Sequence, residues 1–448
     1  MGFLDARPGF HRTWVYPLQV KGRFQSLRRW TMGALQAFFF IMPWLSFNGR
    51  RLLMLDVAER KLHIAGLLFT STDNEFILLL LLLGAFGLFL VTSLFGRVWC
   101  GYACPQTVFL EQWFMPVERW IEGGRGVRMR RDTKGKGTFD WWWRKVAKFS
   151  AFAVMSAVLG MTLTSFFDDP KALWTGQASW VAYGAAFVFG GGAFADYAWF
   201  RDQFCSYLCP YARFQGALTD GESWVISYDV PRGEPRHKGK RKSPEQGACI
   251  ECNKCVAVCP QGIDIRDGYQ LECTSCTRCV DACEGVMAKM GEPTLVRYST
   301  EVEDSGGSKV RFFRPRTMVY IAIMVVLSTI FGLLLMGRHE LAATVSRAPG
   351  AMYQVDLEGN TRNTYMLQVE NRSTSGDDVQ VTVSVDGLPE SAELIAIPML
   401  LSEGESKTIP LVITMPVDGE RVRTLPFEFV VSTPEDSVSV GASFKSGN

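Results

Sequence analysis

Eight of the 12 cysteines fall between Cys249 and Cys283, in two runs of one pattern. The first is Cys249-x2-Cys252-x2-Cys255-x3-Cys259, followed by Pro260; the second is Cys273-x2-Cys276-x2-Cys279-x3-Cys283, followed by Glu284. Three thiolates at x2 spacing wrap one corner of an iron-sulfur cube from a single tight loop, and a fourth, three residues on, reaches a neighbouring cluster. The spacing therefore predicts two 4Fe-4S clusters with crossed ligands: Cys249, Cys252, Cys255 and Cys283 on one, Cys273, Cys276, Cys279 and Cys259 on the other. A four-cysteine zinc site is the alternative, and it would leave cysteines over in each run. Disulfides between thiols two residues apart are strained. Glu284 stands where the second run would carry proline, which sets the second cluster's surroundings apart.

The other four cysteines form an internal repeat. Cys100-Gly101-Tyr102-Ala103-Cys104-Pro105 and Cys205-Ser206-Tyr207-Leu208-Cys209-Pro210 match at both cysteines, the tyrosine and the proline, and each follows an apolar run. Two cysteines four apart share one face of a helical turn. Each repeat thus offers a thiol pair, and a helix pair related by the repeat would bring all four together. Such a soft site suits Cu(I), zinc or another iron-sulfur centre; packing of helix ends by small, soft side chains is the plain alternative.

The elements that must position these thiols are apolar runs at Trp30–Phe47, Phe76–Phe95, Phe149–Phe167, Ala178–Phe200 and Met318–Gly337. Each has about the ~20 residues a bilayer span needs. The fourth carries Asp196, placed for a proton or metal path or for pairing with Arg201, and a Gly190-Gly191-Gly192 step that lets a neighbour approach. Lys and Arg number 6 before the first run, 4 after it, 11 across Arg97–Lys148, 1 between the third and fourth runs and 17 across Arg201–Arg316. By the positive-inside rule the N-terminus, the second loop and the cysteine-rich loop are cytoplasmic, and the chain after Gly337 lies on the far side. The 29 residues before the first run, basic through Arg7, Arg12, Lys21, Arg23, Arg28 and Arg29, lack a small-residue cleavage site and read as an uncleaved anchor. All cysteines precede Glu284, in segments placed where thiols stay reduced. A net charge of +2 points to no nucleic-acid partner.

Five segments result: a cytoplasmic tail 1–29, a four-span membrane domain 30–230, a cytoplasmic ferredoxin-like domain with a basic linker 231–300, a linker and fifth span 301–337, and an outer domain 338–448. The fold class expected is a multi-span α-helical membrane protein with a bacterial-type double 4Fe-4S ferredoxin domain and a C-terminal all-β immunoglobulin-like sandwich. The sandwich rests on short runs rich in Val, Ile, Thr and Phe at 364–369, 379–385, 393–398, 408–414, 426–432 and 438–444. The short apolar piece Leu62–Phe69 reads as surface-lying or re-entrant. The glycine-containing loop from Pro105 to Trp143 reads as solvated and near anionic lipid, with Trp141, Trp142 and Trp143 as an interfacial anchor. Residues 231–244, with Arg232, Arg236, His237, Lys238, Lys240, Arg241 and Lys242, read as a flexible basic linker, or a dock for an acidic electron donor. His11, His63, His237 and His339 all fall outside the runs, so none is placed to ligate a buried haem.

With these motifs together, the chain resembles, over its full length, the cytochrome c oxidase accessory proteins called CcoG, RdxA or FixG. The resemblance implies a multi-pass protein of the bacterial inner membrane that reduces Cu(II) to Cu(I) in support of assembly of a C-type haem-copper oxidase. It also implies copper ions, and copper chaperones or oxidase subunits, as partners beside the membrane. It makes Cys100, Cys104, Cys205 and Cys209 the candidate copper-handling thiols and the eight ferredoxin cysteines the cluster ligands. Thiolates prefer Cu(I), so a thiol site beside a low-potential cluster suits this reaction. A quinol dehydrogenase subunit shares the spans, repeats and clusters but not the sandwich; a non-redox assembly scaffold is the third reading.

Overall fold

In the computed structural model, the described residues are 15–448 apart from short segments at 48–49, 58–59, 66, 71–72, 240–242, 308–310, 351, 357–358, 373–377, 403, 417–423, 435 and 446–448. Arg7, His11 and Arg12 of the tail, Lys240, Arg241 and Lys242 of the basic linker and Lys309 lie outside them. The chain forms two compact units, Met1–Leu45 with Leu78–Ser328 and Ser46–Ile77 with Thr329–Asn448.

Among the described residues, three helices are long and apolar enough to cross a membrane: Asn74–Phe95, Phe139–Thr164 and Pro315–Met336. In the last, Val319, Val325, Val326 and Leu333 are exposed, an apolar surface that lipid accommodates and water does not. The first and fourth apolar runs are built differently from the simple spans expected. The first helix is Arg23–Ile41, and it stops in a tight turn at Met42-Pro43-Trp44 before Ser46–Phe47 turns to strand. The fourth run is a helix, Trp180–Ala195, continued by a wide π-type turn over Asp196–Phe200.

Within the first unit, helices Phe139–Thr164 and Trp180–Ala195 meet through glycine. A Cβ on Gly160 would collide with Ala186 O, and one on Gly190 would lie 3.1 Å from Ser156 O, whereas Gly191 and Gly192 have open space around them. Only the first glycine of the triplet serves the close approach. Below this contact Phe114 stacks on Tyr197 at 4.4 Å and meets Phe152 edge-on at 5.0 Å. The stretch after Pro105 is helical, in pieces at Pro105–Phe109, Met115–Glu122 and Arg125–Lys134, and not the loop its glycines and basic residues suggest, although Arg130, Lys134 and Lys136 are exposed as expected. Its acidic residues face inward and neutralise buried cations, which lets the chain coil against the membrane helices. The ferredoxin segment is closed by a two-stranded antiparallel pair, Val225–Tyr228 on Val296–Ser299.

The second unit contains a sandwich of two antiparallel sheets. One orders its strands Glu393–Ile395, Ser406–Met415, Thr361–Asn371 and Leu341–Arg347, with Gln354–Val355 added to the third; the other orders Met399–Leu401, Val379–Asp386, Leu425–Ser432 and Ser437–Phe444. Tyr365, Leu367 and Val369 alternate inward from the first sheet against Val381, Phe427, Phe429 and Val431 of the second, the period-two signature of a half-buried strand. The piece Leu62–Phe69, expected as a surface-lying or re-entrant segment, is built as strands where it is described. Lys61–Ile64 and Leu67–Phe69 pair with Leu53–Asp56 in a small sheet, where strand pairing satisfies backbone groups that a lone apolar segment would leave open. Asp73 anchors this part of the unit through Arg338 at 3.0 Å and Arg372 at 2.9 Å.

Candidate iron-sulfur and thiol centre

Both cysteine runs fold into the same loop. Glu251 and Asn253 of the first have φ of 51° and 55°, and Ser275 and Thr277, at the same offsets in the second, have 50° and 59°. A left-handed backbone is disfavoured for these residues, most of all for β-branched Thr, and survives only where the surroundings impose it. Alternating the two hands of backbone turns successive N–H groups inward, making a concavity suited to anionic groups such as iron-sulfur clusters. A short helix follows each loop, Lys254–Val258 and Arg278–Met287. The second continues through Cys283 and Glu284, where proline would remove a helical N–H and clash with the preceding turn.

Cys255, Cys259, Cys273, Cys276 and Cys279 all line one pocket. Cys276 and Cys273 act electrostatically on Cys259, and Cys283 acts on Cys255, so the last cysteine of each run sits beside the other run. Burial pushes Cys259 and Cys273 up to about 12, so these thiols ionise when a metal takes the proton's place. The sulfur donors and inward N–H groups fit a 4Fe-4S cube, which when bound stores and passes single electrons. Among the described residues no three Cys, His, Asp or Glu close on a single metal-ion position.

The repeat cysteines depart from the single-turn geometry expected. Cys100 lies in the helix Val98–Tyr102 and Cys205 in a π-type turn, Phe204–Leu208, but Cys104 and Cys209 are extended caps of the next helices, which begin at Pro105 and Pro210. Proline drives the residue before it out of the helical region, so each pair straddles a bend. The four thiols are still neighbours: Cys104 and Cys209 act on Cys100, and Cys104, Cys100 and Cys209 act on Cys205. Burial raises all three of Cys100, Cys104 and Cys205, Cys100 to about 12, while N–H groups of Gln106 and Thr107 partly oppose the rise at Cys104.

This thiol group is pressed against the ferredoxin loop. A Cβ on Gly101 would stand 2.6 Å from Ser275 O and 2.9 Å from Thr274 O, between two of the pocket cysteines. On the other repeat, Ser206 Oγ donates to Gln261 Oε1 at 3.1 Å, and Gln261 Nε2 donates to Asp202 O at 3.4 Å. Arg97 acts on both Cys100 and Cys273. The junction is clamped by Glu111, which pairs with Arg28 at 3.0 Å and Arg278 at 2.7 Å. Arg28 Nε also donates to Gly101 O at 2.7 Å, and Asp281 caps the first helix through the N–H of Gln25 at 2.8 Å. Burial opposes ionisation of Glu111, but the two guanidiniums outweigh it and hold the carboxyl at about 2.

A second buried ion cluster supports the repeat at Cys205. Glu118 receives both Arg201 guanidinium nitrogens, at 2.9 and 3.0 Å, and Arg128 at 2.8 Å, while Glu122 pairs with Lys145 at 2.8 Å and Lys148 at 3.1 Å. Arg201 therefore pairs with Glu118, while Asp196 Oδ1 accepts from Gln106 Nε2 at 3.1 Å. None of these acids is apparent from the cysteine motifs. Their spacing at 111, 118 and 122 does carry a signal, one face of a helix.

Burial works against the Glu118 carboxylate, yet Arg201, Arg128 and Lys148 bring it from its ordinary 4.5 to about 2. A depressed carboxyl contributes stability above its unfolded pKa, and that contribution is lost as pH falls through the folded value. The melting temperature of the detergent-solubilised protein should therefore drop as pH is lowered from about 5 toward 2. Glu118→Gln should lose stability at pH 7, by up to ~3–5 kcal/mol for a broken buried pair, and show a shallower acid-side slope. Equal slopes in the two proteins would contradict this assignment.

Comparison with known proteins places these features in one family. A family model described as a 4Fe-4S dicluster domain matches residues 200–301, a 4Fe-4S binding domain matches 77–128, and the IG-like fold at the C-terminal of FixG matches 331–446. The nitrogen fixation protein FixG of Rhizobium meliloti is 34% identical over 436 residues, covering 85% of this chain and 81% of FixG. Protein RdxA of Cereibacter sphaeroides is 36% identical over 396 residues, covering 84% and 83%, and RdxB of the same organism is 36% identical over 400 residues, covering 83% and 82%. The crystal structure of a FixG-related protein from Vibrio parahaemolyticus aligns with 24% of this chain and 97% of its own, at 17% identity and a TM-score of 0.22. The chain is a membrane iron-sulfur protein with 4Fe-4S ferredoxin domains and a C-terminal immunoglobulin-like fold, and it belongs to the FixG/RdxA family.

Proposed function

We propose that this protein is a membrane-bound cupric reductase. Cys100, Cys104, Cys205 and Cys209 receive Cu(II) and hold the Cu(I) formed when one electron arrives from the ferredoxin segment. The observation that carries this reading is the contact at Gly101, which sets the first repeat directly on the loop of the second cysteine run, with the thiols of the second repeat beside it. Its two resident clusters are held by Cys249, Cys252, Cys255 and Cys283, and by Cys273, Cys276, Cys279 and Cys259. The reciprocal placement of Cys259 beside the second run and of Cys283 beside the first supports that division. Arg97 offsets thiolate charge at Cys100, and the Glu111 and Glu118 ion clusters hold the two repeats in place. Five spans, a cytoplasmic ferredoxin segment, an outer sandwich and residence in the bacterial inner membrane agree with the basic-residue bias of the loops. Delivery of Cu(I) toward a C-type haem-copper oxidase, through copper chaperones or oxidase subunits, is the role this chemistry fits.

The match of a 4Fe-4S binding domain to residues 77–128, which include Cys100 and Cys104, favours a second reading, in which the repeat thiols hold a third iron-sulfur centre. Anaerobic purification with iron, sulfide and copper analysis separates the two. The proposal expects about eight irons per chain and Cu(II) reduction on addition of reductant. About twelve irons with no copper reaction would favour the third cluster, and zinc without acid-labile sulfide would refute both.

A further inference from the structure

The segment after the second repeat straps onto the first cysteine run. Ala248 N–H donates to Arg232 O at 2.8 Å, Gly247 N–H to Pro235 O at 2.9 Å, and His237 N–H to Cys249 O at 3.0 Å. The strap ties residues 232–237 of the basic linker expected there to this run and buries His237 to 6% exposure. Both imidazole nitrogens are sealed from solvent, and neither has a hydrogen-bond partner among the described residues. An imidazole carries at least one N–H in every protonation state. Leaving that donor unmet in the interior costs ~1–3 kcal/mol, so a buried histidine without an acceptor needs a physical reason. Its backbone is tied to Cys249, and the Tyr228 hydroxyl, which donates to Glu234 Oε1 at 3.3 Å, lies beside the same thiol.

We propose that His237 donates a ring N–H to sulfur of the cluster held by Cys249, either the Cys249 thiolate or an adjoining sulfide, and thereby sets that cluster's reduction potential. This rests on the assignment of Cys249 as a cluster ligand. Hydrogen bonds to cluster sulfur stabilise the more negative, reduced state and raise the potential. The same donor is what an apolar ring of similar size lacks. His237 thus sets the cluster held by Cys249 apart electronically from the other.

The direct test is pulsed EPR on the reduced full-length protein carrying 15N-histidine. A 15N coupling to the reduced cluster is expected, and it should vanish in His237→Phe. Redox titration of His237→Phe should show one of the two clusters shifted to a more negative midpoint and the other unmoved, with His237→Gln closer to the parent. If His237→Phe fails to assemble, the 15N coupling in the unmodified protein still decides the matter. Intact clusters without that coupling, or unchanged midpoints in His237→Phe, overturn the role of His237 alone. Absence of any reduced-cluster signal, iron or acid-labile sulfide in the unmodified protein overturns the cluster assignment and the inference with it.

Discussion

Replacing Cys100, Cys104, Cys205 and Cys209 together by serine is expected to abolish Cu(II) reduction while iron and acid-labile sulfide stay at the parent level. Serine keeps nearly the same volume and removes the soft sulfur that favours Cu(I) over Cu(II), so the driving force and the binding site go together. The ferredoxin loops keep all eight of their cysteines, their left-handed residues and the clamp at Glu111, so cluster assembly has no reason to fail. The hydroxyls at the buried position 100 and the half-buried position 205 will cost some stability, which a melting curve measures separately. A four-serine protein that reduces Cu(II) at the parent rate would show that these cysteines only pack the helix ends.

Gly101→Ala should lower Cu(II) reduction by at least an order of magnitude with every thiol and every cluster cysteine still present. The added methyl meets backbone oxygens of Ser275 and Thr274 at 2.6 and 2.9 Å. Backbone cannot swing aside as a long side chain can, so the repeat and the cluster loop must separate. Displacements of about 1 Å at a reacting centre can cost ~10²-fold in rate. Gly84→Ala is the matched control, because nothing lies within 4 Å of its Cβ position. Parent-like rates in both variants, with iron retained, would remove the Gly101 contact from the account.

Much of this arrangement was legible in the residues. Thiol spacing is local, so the two ferredoxin runs and the repeated Cys-x3-Cys-Pro could be read directly, and period-two apolar patterning marked most of the sandwich strands. Leu341–Arg347 was not foreseen, since Ala and Ser dilute its pattern, and Met399–Leu401 was hidden because three residues are too few to show one. What the sequence could not reveal is long-range pairing. Glu111, Glu118 and Glu122 look like ordinary acids in a basic stretch until Arg28, Arg201 and Arg278 arrive from distant segments. His237 reads as one more cation of a solvated linker until the strap onto Cys249 buries it. The turn at Pro43 and the π-type turn at Asp196 likewise break two apolar runs that hydropathy alone reads as plain spans.

The central claim is that an electron held in the ferredoxin segment reaches Cu(II) through the repeat thiols. The most direct measurement is a single-turnover experiment on anaerobic protein whose clusters have been reduced and freed of excess reductant, followed by EPR after Cu(II) is added. The account predicts that the Cu(II) signal disappears, to about two equivalents per chain for two one-electron clusters, in step with cluster reoxidation, and that the four-serine protein keeps both its Cu(II) signal and its reduced clusters. Clusters that stay reduced beside unreacted Cu(II) in the parent protein, or equal reoxidation in the four-serine protein, would contradict it.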